Sequence, residues 1–131
     1  MRIAIIGAGY VGLVSGVCLA AEGHDVTCVD LRNDVIAPLS VGVPHIHERG
    51  LPELLKSVLA SARFRATTEL HASLEMAEIA LIAVGTPAEN GAIDLSAVRQ
   101  CARQIALISR PFLIICRSSR RAPSSRGQWT R

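Results

Sequence analysis

A chain of 131 residues and 13.9 kDa, 50% hydrophobic and 19% charged, is one domain's worth of protein with enough apolar content for a packed core, which excludes a disordered or collagen-like chain. Glycines and charges break the apolar runs well before the ~18 residues of a membrane span, and Gly7, Gly9 and Gly12 interrupt the opening run too early for a secretory signal. Charge is uneven: residues 1–94 carry 6 Lys and Arg against 11 Asp and Glu, and residues 95–131 carry 8 Arg and no acid, so the formal +3 belongs to the last quarter of the chain.

Residues 2–6 are an apolar run ending at glycine, the pattern of a buried parallel strand. Val11, Val14, Cys18 and Leu19, with Ala20 and Ala21, fit one helix stopped near Gly23, and Gly16 inside it marks close packing against a sheet. Residues 25–30 read as a second strand. Residues 33–40 read as a short helix strained by Pro38. A loop over 41–50 leads to a helix over 52–60 with proline in its first turn. A short strand over 64–66 precedes a helix capped by Thr67 or Thr68 and running to about Ala77. Residues 79–84 form a strong strand ending at Gly85, and 86–93 a loop. Asp94 caps a helix to about Ile108, and 112–116 form a last strand. This alternation predicts an α/β fold with a mostly parallel sheet covered by helices.

Gly7-Ala8-Gly9-Tyr10-Val11-Gly12 follows a strand and opens a helix. Gly7 permits a sharp turn, Gly9 leaves room for a pyrophosphate at the backbone, and Gly12 lets the helix press on the strand. The helix start offers unpaired N–H groups to phosphate. Tyr10 and Val11 are read with the glycines as cofactor-facing, Tyr10 either packing beside the cofactor or capping a cavity. Asp30 ends the second strand, 18 residues after Gly12, where a carboxylate can accept both ribose hydroxyls of NAD and repel the 2′-phosphate of NADP. A flavin dinucleotide shares the fingerprint and stays open.

Gly85 and Thr86 lie beyond another strand on the same expected edge, either contacting the cofactor or forming a plain turn. Ser118 and Ser119 hold the same kind of position after the last strand, reaching substrate or a catalytic water, or forming a turn. Glu48 is either a substrate-positioning acid or a solvated charge. His45 and His47 lack partner ligands at zinc spacing and read as loop residues, so no metal is expected. Cys18, Cys28, Cys101 and Cys116 are widely spaced and read as reduced thiols. The arginine-rich tail lacks stacking aromatics apart from Trp129, so no specific nucleic-acid partner is expected.

The glycine loop, Gly23-His24-Asp25-Val26-Thr27-Cys28-Val29-Asp30, the loop from Glu48 to Leu55, and Val84-Gly85-Thr86-Pro87 together resemble the N-terminal NAD-binding domain of the UDP-glucose/GDP-mannose dehydrogenase family, most in the manner of its UDP-glucose branch. The resemblance implies a Rossmann-like fold over residues 1–119, incomplete at its C-terminus, with a disordered basic tail over 120–131. It implies NAD on Gly7, Gly9, Gly12 and Asp30, cofactor contact by Thr86, and catalytic positions at Glu48 and Ser119, the last where the family threonine assists a water. The family pattern has proline at Arg49, tyrosine at His47 and a ribose-supporting lysine at Val35.

The likeness is expected to stop at Arg120, where the family's strand continuation gives way to Arg and Ser, as a truncated or frameshifted reading frame would produce. In the full-length enzyme the resemblance implies oxidation of a nucleotide sugar at C6 with two NAD. The nucleophilic cysteine, with its lysine, asparagine and aspartate helpers, would lie in a half this chain lacks. It further implies a homodimer for the full-length protein only, and the reduced thiols are those of a cytoplasmic protein. A standalone NAD-binding module without catalysis and a GDP-mannose dehydrogenase fragment are the alternatives.

Overall fold

The computed structural model describes residues 1–108 and 113–116. In chain order the elements are β1 (Arg2–Ile6), α1 (Tyr10–Ala21), β2 (Asp25–Val29), α2 (Asn33–Ser40), α3 (Leu51–Ala60), β3 (Phe64–Thr67), α4 (Leu70–Met76), β4 (Ile79–Ile82), β5 (Ala88–Glu89), β6 (Ala92–Ile93), α5 (Ser96–Ala106) and β7 (Leu113–Cys116). Five strands pair in parallel in the order β3-β2-β1-β4-β7. β1 is central, with Ile5 opposite Cys28 on one side and Leu81 on the other. This is the doubly wound order of a Rossmann-like sheet.

Alternation along the strands sends side chains to two faces. Ile3, Ile5, Val26, Cys28 and Phe64 face α1, α2 and α3, where Leu13, Val17, Leu39 and Leu55 complete a buried cluster. Ala4, Ile6, Ala80 and Ile82 face α4 and α5, against Leu74, Cys101 and Ile105. Gly16 explains how α1 lies so near the sheet: a methyl there would sit 3.0 Å from the Ile5 side chain and 3.2 Å from the Phe64 ring. α1 stops as its sequence predicts. The N–H of Gly23 bonds the carbonyl of Ala20 and that of His24 bonds Leu19, with Gly23 left-handed at φ +98°.

Several boundaries differ from the sequence reading. β2 ends at Val29, which leaves Asp30 just past the ladder, and β4 ends at Ile82. α2 keeps its expected bounds, Asn33–Ser40, with Pro38 inside its last turn. α4 begins only at Leu70, and neither Thr67 nor Thr68 caps it. The Thr67 hydroxyl instead accepts the Glu69 N–H at 3.1 Å, a turn that precedes the helix. Asp94 Oδ1 accepts the Ser96 N–H at 2.8 Å and so organises the entry to α5, although the helix itself starts at Ser96. Residues 86–93 are not a simple loop: β5 and β6 form a small antiparallel hairpin. Asn90 and Gly91 both take positive φ, 51° and 78°, as a tight primed turn requires. Phe112, Ser118, Ser119, Trp129 and the tail over 120–131 lie outside the described residues.

Candidate functional site: the mouth of the first strand

The chain leaves β1 towards β2 on one side and leaves β4 towards β7 on the other, so a crevice opens where these two neighbours diverge. Three loops meet there, after β1, β2 and β4. The glycine loop is fixed by its neighbours. Gly7 N–H bonds Val29 O at 2.7 Å, and Ala83 N–H bonds Ile6 O at 2.8 Å. Gly7 has φ +108°, and a side chain there would meet the Ala83 carbonyl oxygen at 2.6 Å. A methyl on Gly12 would overlap the Gly7 carbonyl oxygen, so α1 presses first on the turn itself and then on Ile5 of β1.

Gly9 differs from both. A Cβ there would meet nothing within 4 Å. Gly9 is the N-cap of α1, and no side chain caps the helix. Unpaired N–H groups and the positive end of the helix dipole therefore face open space, which suits a pyrophosphate.

Asp30 faces this loop. Its Oδ2 accepts the Ala8 N–H at 3.0 Å, and its Oδ1 accepts the Arg32 N–H at 3.0 Å. The Arg32 guanidinium adds bonds from Nε to Oδ1 at 3.2 Å and from Nη2 to Oδ2 at 3.3 Å. Burial acts to raise the Asp30 carboxyl pKa, but the Arg32 guanidinium and the two backbone N–H groups outweigh it and hold it below the ordinary aspartate value. Asp30 is thus ionised where it meets the glycine loop. The Arg32 contact was not foreseen, although an aspartate two residues before a backbone donor is a local turn signal. Val35 packs in the core and offers no cation.

Tyr10 stands exposed at the start of α1, and its hydroxyl donates to Glu48 Oε2 at 2.8 Å. That bond and the Glu48 charge raise the Tyr10 phenol above its ordinary range. The structure thereby brings two of the predicted site residues together and ties the loop between α2 and α3 to the rim of the glycine loop. Val11 is half-buried in the first turn. Gly85 is exposed with no neighbour near a Cβ position, whereas Thr86 is buried.

Among the described residues no cluster of His, Cys, Asp or Glu could hold a metal, and no helix is long and apolar enough to cross a membrane. Burial pushes the Cys28 thiol up to about 12, with the nearby Asp30 charge adding to it, so Cys28 is an inert core residue. Concavities elsewhere, of about 560 Å³ beside Thr27, Arg65 and Met76 and about 580 Å³ beside His47, Arg49 and Lys56, do not include the glycine loop.

Residues 1–127 match the model of the UDP-glucose/GDP-mannose dehydrogenase family, NAD binding domain. The chain is 45% identical over 121 residues to UDP-glucose 6-dehydrogenase of Rhizobium meliloti (strain 1021), covering 91% of this chain and 28% of that protein. It is 40% identical over 111 residues to GDP-mannose 6-dehydrogenase of Pseudomonas syringae pv. tomato, covering 84% and 25%. Among solved structures it resembles a ternary complex of GDP-mannose dehydrogenase from Pseudomonas aeruginosa, with a TM-score of 0.87, 34% identity and coverage of 92% of this chain and 29% of that one. The chain therefore spans between a quarter and a third of the length of these relatives. The open Gly9, the uncapped start of α1 and the inward Asp30 fit NAD, and by the match over residues 1–127 the chain belongs to the UDP-glucose/GDP-mannose dehydrogenase family and carries its N-terminal NAD-binding domain.

Proposed function

We propose that this chain is the NAD-binding part of a nucleotide-sugar 6-dehydrogenase acting on UDP-glucose. The full-length reaction would convert UDP-glucose, two NAD and water to UDP-glucuronate and two NADH. The oxidation removes two hydrides from C6, water supplies the second carboxylate oxygen, and three protons are released. When bound, NAD supplies the hydride acceptor. The chain's own residues bind and orient it: the N–H groups at the start of α1 take the pyrophosphate, and Asp30 takes the adenosine ribose. Tyr10, Val11, Gly85 and Thr86 would line the groove between β1 and β4, with Glu48 on its rim through Tyr10. The chain spans 28% of the Rhizobium meliloti enzyme, and in this reading the sugar-nucleotide contacts would come mostly from the remainder.

The observation that carries this reading is the ionised Asp30 carboxylate bonded to the Ala8 N–H inside the glycine loop. The UDP-glucose choice is supported by the 45% identity to a UDP-glucose 6-dehydrogenase, against 40% for a GDP-mannose enzyme. GDP-mannose is the second reading, favoured by the 0.87 TM-score to the GDP-mannose enzyme. Calorimetric titration of the chain with NAD tests the binding claim. Saturable binding that weakens about tenfold or more in Asp30→Ala is expected, since a buried charge-assisted hydrogen bond is lost. A folded chain that ignores NAD contradicts it. Coupling the matching C-terminal half of each relative to this chain and assaying both sugar nucleotides tests the substrate. Turnover of GDP-mannose alone would overturn the UDP-glucose choice.

A further inference from the structure

A carboxylate offers about four acceptor positions. At Asp30 all four are taken: by the Ala8 and Arg32 backbone N–H groups and by Nε and Nη2 of Arg32. The two backbone donors are fixed by the fold. The guanidinium is not, because the Arg32 side chain is 59% exposed while that of Asp30 is 12% exposed. A ribose diol can therefore reach the carboxylate only by displacing the guanidinium. Once displaced, Arg32 stays tethered two residues from Asp30, on the rim where a phosphate on the ribose 2′-oxygen would stand. Asp34 is the other charge acting on Arg32, and it leaves the guanidinium cationic.

We propose that Arg32 is a specificity-determining residue of the dinucleotide seat, competing with the ribose of NAD for Asp30 and offering a cationic partner to the 2′-phosphate of NADP. The proposal rests on the dinucleotide reading above. Asp30 alone would repel a 2′-phosphate. The pair is close to neutral, and a guanidinium fork matches phosphate geometry. The chain then binds both dinucleotides, with a narrower preference for NAD than an unpaired aspartate would give.

The test is titration of the full 131-residue chain, wild type, Arg32→Ala and Arg32→Lys, with NAD and with NADP at low salt. Arg32→Ala is expected to tighten NAD by about two- to fivefold, the worth of an exposed ion pair. It is expected to weaken NADP by about tenfold or more, the worth of a charge-assisted phosphate bond. Arg32→Lys keeps the charge without the fork and should fall between the two. Equal shifts for both dinucleotides, or none, overturn this proposal and leave the seat intact. A folded wild-type chain that binds neither dinucleotide overturns the seat and the proposal with it.

Discussion

The two faces of the sheet are built differently. Against α1, α2 and α3 the described residues include fifteen buried apolar side chains in one cluster; against α4 and α5 they include eight. The first side ends in Phe64, 1% exposed, on the β3 edge. At the opposite edge, on β7, Leu113, Ile114 and Ile115 are 60%, 49% and 45% exposed, and by register Leu113 and Ile115 lie on the first face and Ile114 on the second. The site draws on both. Its rigid parts, Gly7, Gly12 and the Ala8–Asp30 bond, belong to the closed side. Its open parts are Gly9 and Gly85, where a Cβ would meet nothing within 4 Å. The turn after β1 is therefore held by packing that these residues complete among themselves.

That contrast can be broken at its strongest point. Phe64→Ala should cost about 3–5 kcal/mol, because a fully buried ring against Gly16 leaves a cavity. Urea unfolding measures it, and a loss under 1 kcal/mol would mean the closed side is not packed as described. Gly12→Ala should cost about 1–3 kcal/mol by forcing α1 off the turn, and NAD affinity should fall with it. An unchanged unfolding midpoint would show that α1 and the turn do not touch.

Acid sharpens the same comparison. The Asp30 carboxyl titrates below the roughly 3.9 of an unfolded aspartate, so it adds stability above that pH. The contribution disappears as pH falls through the lower folded value. Unfolding measured from pH 6 downward should therefore decline less steeply below about pH 4 in Asp30→Asn than in wild type. Identical slopes would show that Asp30 is not held as drawn. The smallest effect belongs to the bare β7 edge: Leu113→Ala should stay within about 0.5 kcal/mol of wild type in the same urea assay.

The closed side was the more legible in the sequence. β1, α2 and the stop of α1 at Gly23 follow from local pattern, because apolar period, helix caps and glycine conformation act over a few residues. The hairpin was missed although Asn90-Gly91 is a strong primed-turn signal, since strands of two residues leave no alternation to read. Thr67 looked like a helix cap because its hydroxyl does accept a backbone N–H, but the turn it makes precedes the helix. Of the site, the glycines and Asp30 were legible from spacing. The Tyr10–Glu48 bond joins positions 38 apart, and Arg32 folding back on Asp30 depends on the carboxylate's orientation. Neither leaves a periodic trace. Ser119 lies outside the described residues.

The central claim is that NAD lies over the turn after β1, with Asp30 at its ribose. Backbone amide NMR of the chain during an NAD titration tests it most directly. Saturable shifts centred on Ala8, Gly9, Tyr10, Val11 and Gly12, with Asp30 and Arg32 moving on the same curve, are expected. Shifts centred instead on the concavity beside Thr27, Arg65 and Met76, with the glycine loop unmoved, would contradict it.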